Sequence, residues 1–313
     1  MSEQNERQTR RYLMQLFERQ GIHPRWKLGQ NFLIDLNILE FVVREAELTC
    51  HDVVLEVGPG TGGMTTFMAK EAGHVISVEL DPGMYQLARE ATRHYQNVTL
   101  LNQDALRNKN HLADNVLTTI RAELAKDPQR QLKLVANLPY SVATPVISNL
   151  LATDLPCSRM VVTIQYELGL RMQALSGNPD YGALSVWLQS QCDVEILRKL
   201  GPTVFWPRPK VDSAIVKITP DPAARARIPD RRFFHDYIRR VFLHRRKLLR
   251  GVLTAMYSNF LTKSEIKEIL HYLGLIESAR AEELHRDQHL LLSTALQNRM
   301  LEKAEAVSNR TPD

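Results

Sequence analysis

Cysteine is scarce in this sequence and long apolar runs are missing. The three cysteines, Cys50, Cys157 and Cys192, are odd in number, far apart and away from histidines at ligand spacing. That excludes a disulfide framework and a zinc site, and it suits a reducing compartment. The stretch from Met1 to Gln20 is polar and charged, without an apolar segment of signal-peptide length, and no later run reaches bilayer-spanning length. A cytoplasmic protein with no membrane and no metal partner is expected. Strong overall charge is lacking too: the net +5 does not by itself identify a polyanionic partner. The basicity is local, because Arg225 to Arg250 holds ten basic residues against Asp230 and Asp236.

What is present is enough apolar material, 44% of 313 residues, to bury the core of one large domain and a smaller one. Short β-branched runs alternate with helix-like segments: Val53 to Val57, Val75 to Glu79, Val98 to Leu101, Leu132 to Ala136, Met160 to Gln165, Val194 to Leu197 and Ala214 to Ile218. This alternation predicts an α/β fold with a mostly parallel sheet covered by helices on both faces. Functional residues are then expected at the strand ends. Prolines and alanines between Pro220 and Pro229 mark a boundary, after which every periodic segment reads as helix. Glu6 to Gln20 reads as an amphipathic helix ended by Gly21. The expected divisions are an N-terminal helical extension at 1–24, a sheet domain at 25–220, a helical domain at 221–302 that carries the basic segment, and a disordered tail at 303–313.

The run Val53 to Val57 ends in Gly58-Pro59-Gly60-Thr61-Gly62-Gly63 and leads into a helical stretch. Glycines there let backbone approach a ligand closely. Gly58, Gly60 and Gly63, with Glu79 about twenty residues on, also satisfy the dinucleotide fingerprint, so the loop alone does not choose a cofactor. Its neighbours favour an amino-acid nucleoside. Glu56 would repel a pyrophosphate but can anchor an ammonium. Glu79 can accept from both ribose hydroxyls, and Asp104, after the third strand, from an adenine amine. Two acids at successive strand ends suit S-adenosylmethionine.

After the strand Leu132 to Ala136 comes Asn137-Leu138-Pro139-Tyr140. In isolation this is an ordinary turn; at a fourth strand end, behind a glycine loop and two spaced acids, it points to amine methylation. The adenine amine is a poor nucleophile because its lone pair is delocalised into the ring. Acceptors on Asn137 and on the Leu138 carbonyl can draw that pair out while Tyr140 stacks on a flipped base. No metal or covalent nucleophile is required.

Taken with Gly29-Gln30-Asn31-Phe32-Leu33, Pro179 to Ser185, Phe205 to Ala214 and Phe242 to Arg250, these motifs resemble the KsgA-type small-subunit ribosomal RNA adenine dimethyltransferases from about Leu28 to Leu284. The resemblance implies a seven-stranded Rossmann-like class I methyltransferase domain and a small all-α C-terminal domain. It implies that Asn31, Leu33, Gly58, Glu79, Asp104 and Asn137 contact S-adenosylmethionine and that Asn137 to Tyr140 form the base pocket; the reading of the loop above adds Glu56, just before it, and Gly60 as cofactor contacts. The implied substrate is a pair of adjacent adenosines in a hairpin loop near the 3′ end of 16S rRNA, each methylated twice during assembly of the small ribosomal subunit; a monomer is expected.

Phe205, Arg208, Lys210, Arg245, Arg246, Lys247 and Arg250 are the expected RNA contacts. The sequence departs from the family in a longer stretch between Asp104 and Asn137, with an expected helix from His111 to Lys126, in Tyr166 where lysine is expected, and in a less basic Arg25 to Leu28. Two alternatives stay open: an assembly factor acting mainly by binding immature subunits, and an adenine methyltransferase of large-subunit rRNA.

Overall fold

A computed structural model of the chain describes residues 10–21, 25 and 29–308. In chain order it contains α1 (Arg10–Gln20), β1 (Phe32–Leu33), α2 (Leu36–Glu45), β2 (Asp52–Val57), α3 (Gly63–Met68), β3 (His74–Glu79), α4 (Pro82–Thr92), β4 (Val98–Asn102), β5 (Leu106–Asn108), β6 (His111–Leu112), α5 (Asp114–Leu124), β7 (Gln131–Asn137), α6 (Ala143–Ala152) and β8 (Cys157–Gln165). There follow α7 (Tyr166–Gln173), α8 (Ala183–Gln189), β9 (Cys192–Leu200), β10 (Phe205–Trp206), β11 (Ser213–Pro220), α9 (Pro222–Ala226), α10 (Arg231–Phe242), α11 (Leu249–Met256), α12 (Lys263–Tyr272) and α13 (Arg286–Ser308). No described helix is long and apolar enough to cross a membrane.

Each of the seven apolar runs read from the sequence is a strand of one sheet, in the order β4-β3-β2-β7-β8-β11-β9. The pairings from β4 to β8 are parallel, and β11 runs antiparallel to β8, with Ser213 opposite Gln165. The central strand β2 is buried along its whole length, which is why its sequence is a continuous apolar run rather than an alternating one. From β2 the chain moves outward through β3 to β4, then returns to the other side of β2 to form β7 and β8. The topological switch therefore lies between β2 and β7, where crossover connections part and leave a crevice.

The chain divides into two compact units, one holding the residues up to Gly169 and Glu195–Thr219, the other Leu170–Val194 and the chain from Pro220 onward. The expected boundary near residue 220 thus has an earlier counterpart that the sequence did not suggest. In the second unit α8 buries Trp187 against α10, its ring stacked on His235 with centroids 4.4 Å apart. The same unit buries His289, which accepts from the Tyr237 hydroxyl through Nδ1 at 3.1 Å and donates through Nε2 to the Ala281 carbonyl at 2.9 Å.

Two expectations are corrected. Residues 303–308 are not a disordered tail but the end of α13. Their anchors are polar, such as Lys303 Nζ on Glu265 at 3.0 Å, and apolar periodicity does not register them; residues 309–313 lie outside the described residues. The helix expected from His111 begins only at Asp114, because His111 and Leu112 pair back on Leu106–Asn108 around a turn in which Asn108 Oδ1 accepts from Asn110 N at 2.9 Å. The expected start of the first helix, Glu6 to Thr9, also lies outside the described residues. Gly21 does end α1 in the left-handed region, at φ +63.

Candidate active site

The switch point sets the loop after β2 beside the turn after β7. Gly58 and Gly60 have φ of +79 and +58, a region that side chains disfavour. Space is equally restrictive: a β-carbon on Gly60 would lie 2.9 Å from the Phe32 ring, and one on Gly58 would lie 3.1 Å from Pro139 Cγ. The glycine loop and the Asn137–Tyr140 turn are thus in contact through Gly58 and Pro139.

Around them a cleft opens, walled by Val78, Glu79 and Leu80 from the end of β3, by Gln103, Asp104 and Ala105 after β4, and by Asn137 to Val142. It continues past Gly58 and Gly60 toward Leu33, Glu56 and Met64. Among the described residues that line these two parts, three are acidic and none is basic.

Glu79 closes β3. Its Oε1 accepts from Asp81 N at 2.9 Å and its Oε2 from Gly60 N at 3.3 Å. Burial pushes its carboxyl up to about 7, while these backbone donors pull the other way. Glu56 lies deeper, 1% exposed, and its Oε2 accepts from Thr65 Oγ1 at 2.6 Å and from Ser77 Oγ at 2.5 Å. Burial raises it to about 7 as well, against the two hydroxyls and with a smaller push from Glu79. Asp104 is exposed at the mouth, where its Oδ1 takes Leu106 N at 2.8 Å and shapes the turn.

Asn137 ends β7 and donates through Nδ2 to the Asn31 carbonyl at 2.8 Å. A carbonyl only accepts, so this bond fixes the amide's orientation and leaves Oδ1 as the acceptor end. Asn31 is held in turn by donation of its own Nδ2 to the Gly29 carbonyl at 3.2 Å. Leu138 N donates to the Thr163 carbonyl at 3.1 Å, and the Pro139 carbonyl accepts from Val142 N at 3.0 Å, so the turn is tied to β8 and to its own exit. The hydroxyls of Tyr140 and Ser213 share a hydrogen bond of 2.6 Å.

The expected RNA contacts fare unevenly. Phe205 is corrected: it is 1% exposed, paired with Leu33 between β10 and β1 and packed in the core with Leu39 and Leu200, so its ring does not reach solvent. Arg208 and Lys210 are exposed between β10 and β11. In the helical unit, Arg245 donates through Nη1 to the carbonyls of Pro179 at 2.9 Å and Tyr181 at 3.1 Å and pairs with Glu282, while Arg250 pairs with Glu277. Arg246 and Lys247 stand exposed.

Sequence reasoning missed Gln30, Phe32, Gln103 and Leu80 as cleft residues. Leu80 carried a signal: an apolar residue directly after a strand-end acid, half exposed in the structure. Thr65 and Ser77, which hold Glu56, carried none.

The family model for ribosomal RNA adenine dimethylase matches residues 22–298. Ribosomal RNA small subunit methyltransferase A of Pediococcus pentosaceus is 38% identical over 271 residues, 86% of this chain and 88% of its own length. The protein of the same name from Lactiplantibacillus plantarum is 38% identical over 278 residues, 88% of this chain and 91% of its own. Among solved structures, a dimethyladenosine transferase from Plasmodium falciparum is similar with a TM-score of 0.70 at 22% identity, over 85% of this chain and 97% of its own. The 23S rRNA methyltransferase ErmE is similar with a TM-score of 0.56 at 22% identity, over 85% of this chain and all of its own. These two likenesses show the methyltransferase fold. With the matched span covering most of the sequence, from before the glycine loop to within α13, the chain belongs to the ribosomal RNA adenine dimethylase family of enzymes.

Proposed function

We propose that the chain uses S-adenosylmethionine to dimethylate N6 of two adjacent adenosines in a hairpin loop near the 3′ end of 16S rRNA, on immature small subunits in the cytoplasm. The observation that carries the cofactor choice is the cleft's charge. A lining with Glu56, Glu79 and Asp104 and no described basic side chain suits a ligand bearing a sulfonium and an ammonium, and opposes a pyrophosphate.

The residues fit that ligand in order along the cleft. Asp104 and Gln103 would meet the adenine edge, with Val78, Leu80 and Ala105 as apolar walls. Glu79 would take the ribose hydroxyls in place of its Gly60 contact. Gly58, Gly60, Asn31, Leu33 and Glu56 would surround the amino-acid end. When bound, S-adenosylmethionine supplies an electrophilic methyl group and keeps the broken bond's electron pair on sulfur.

The chain supplies position and electrostatics. Asn137 Oδ1 and the Leu138 carbonyl accept the N–H groups of the target amine and draw its lone pair out of the ring, and Tyr140 holds the base flat. Orientation of this kind contributes roughly 7–11 kcal/mol to a two-reactant step. After attack the nitrogen gives up one proton to solvent, so a once-methylated amine keeps one N–H for the same acceptors and a second transfer uses the same geometry. Of the expected RNA contacts, Arg208, Lys210, Arg246 and Lys247 are exposed cations that would meet RNA phosphates.

Titration calorimetry tests the cofactor assignment. S-adenosylmethionine should bind, NAD should not, and Glu79→Ala should weaken S-adenosylmethionine by at least about tenfold, the loss of a charged hydrogen-bond partner. Tight NAD binding, or no binding of S-adenosylmethionine, would refute it.

A further inference from the structure

The ring of Tyr140 is fixed at its far end by a residue outside the motif. Its hydroxyl meets Ser213 Oγ at 2.6 Å, and Ser213 is itself fully buried at the start of β11, opposite Gln165 on β8. The residue before it is clamped as well. The Asp212 carbonyl accepts from Tyr166 N at 3.0 Å, and the Asp212 carboxylate takes Lys199 Nζ at 2.8 Å. That ammonium also stands 4.6 Å over the Tyr166 ring. Ser213 is therefore held by backbone pairing on one side and by an ion pair next to it on the other, while Tyr140 is only partly buried on its own account.

We propose that Ser213 is a positioning residue for methyl transfer, fixing the axis and tilt of the Tyr140 ring so that the target base stacks at one angle to the methyl donor. This rests on the reading of Asn137–Tyr140 as the base pocket. A tyrosine side chain has two torsions between its backbone and its ring. The hydroxyl oxygen lies on the ring's long axis, so tethering it to a rigid strand fixes the direction of that axis, and the preference of a phenol O–H for the ring plane restrains rotation about it, so the base face is set before substrate arrives. Misplacement of a reacting group by about 1 Å costs on the order of a hundredfold in rate, so a ring free to rock should cost somewhat less.

The second transfer is the more demanding one. A once-methylated amine must turn its methyl to one edge and its remaining N–H to the acceptors, and a rocking base presents that arrangement less often. Loss of the tether should therefore slow the second step more than the first and let the once-methylated product accumulate.

The test uses the full chain, S-adenosylmethionine at saturation and immature small subunits that lack the modification. Ser213→Ala and Tyr140→Phe each remove the bond. Each should lower kcat about tenfold, leave the S-adenosylmethionine Kd within about twofold and raise the share of N6-methyladenosine over the dimethylated product. The double variant should be no slower than the slower single, because both changes break one interaction. Ser213→Thr, which keeps a hydroxyl, should recover most of kcat.

Tyr140→Phe leaves the buried strand intact, so it reports on the bond even if Ser213→Ala unfolds early. Losses that multiply in the double variant, or a Tyr140→Phe enzyme with full kcat and an unchanged product ratio, would overturn the proposal. A wild-type chain that methylates no adenosine would instead remove the pocket reading beneath it, which is a distinguishable failure.

Discussion

The side chain of Asn137 and the main chain of Asn31, 106 residues apart in sequence, are joined by one hydrogen bond of 2.8 Å from Nδ2 to the carbonyl. Because that carbonyl cannot donate, the bond decides which end of the amide is available to a substrate amine. Asn137→Ala removes the acceptor and should lower kcat by roughly 10²–10³, the cost of deleting one well-placed polar group at a transition state. Asn137→Asp should be no better, since a carboxylate oxygen would face the Asn31 carbonyl. Single-turnover methylation checks both. An Asn137→Asp enzyme near wild-type rate would show that this bond does not orient the group.

A second expectation concerns pH. Glu56 and Glu79 are both raised from 4.5 to about 7 by burial, so between these values the folded chain binds more protons than the unfolded one. Stability from these groups is then present below pH 4.5 and lost as pH rises to about 7, with a magnitude on the order of 3 kcal/mol per group. Half-buried His235 and buried His289, depressed to about 4, act in the opposite sense between there and the usual histidine value of 6.5. The difference between wild type and Glu56→Gln isolates the carboxyl. Relative to wild type, the variant should gain stability as pH rises from 5 to 7.5 in thermal unfolding without ligand. Parallel curves would mean that Glu56 is already ionised at pH 5.

Gly60 offers a steric test. Gly60→Ala would combine a φ of +58 with a β-carbon 2.9 Å from the Phe32 ring. Strain of this type costs roughly 1–3 kcal/mol, and because Phe32 itself lines the cleft, cofactor affinity should fall more than stability does. Calorimetric binding set beside a melting curve separates the two effects. Unaltered affinity would place the ligand away from the loop.

The basic segment should split into two classes. Arg245→Ala removes two hydrogen bonds to the Pro179–Tyr181 backbone and a contact with Glu282, so it should lower the melting temperature. Arg246→Ala and Lys247→Ala should leave melting unchanged and weaken RNA binding, each reducing the slope of log affinity against log salt by about 0.7–0.9 if it meets a phosphate. Filter binding at several salt concentrations measures the slope. Equal slopes in all variants would move the RNA surface elsewhere.

Much of this was legible in the sequence where the physics is local. The inner strands announced themselves because a sheet covered on both faces needs uninterrupted apolar runs such as Val53 to Leu55. Gly58, Gly60, Glu79 and Asn137 were legible as cleft residues because each stands at or just after a strand end. What was hidden depends on long-range pairing. Phe205 looked like a stacking residue until β10 was seen to pair with β1 and turn its ring inward. Arg245 looked like a phosphate ligand until its partners, 64 and 66 residues away, were seen. Ser213 lies 73 residues from Tyr140, and no local pattern marks it.

The most direct test of the central claim is product analysis. The purified chain is incubated with methyl-labelled S-adenosylmethionine and, separately, immature small subunits lacking the modification or large subunits, and the RNA is digested to nucleosides. The expected result is N6,N6-dimethyladenosine from small subunits alone, mapped to two adjacent positions near the 3′ end. Label only in large-subunit RNA, or none despite binding of both cofactor and small subunits, would contradict it.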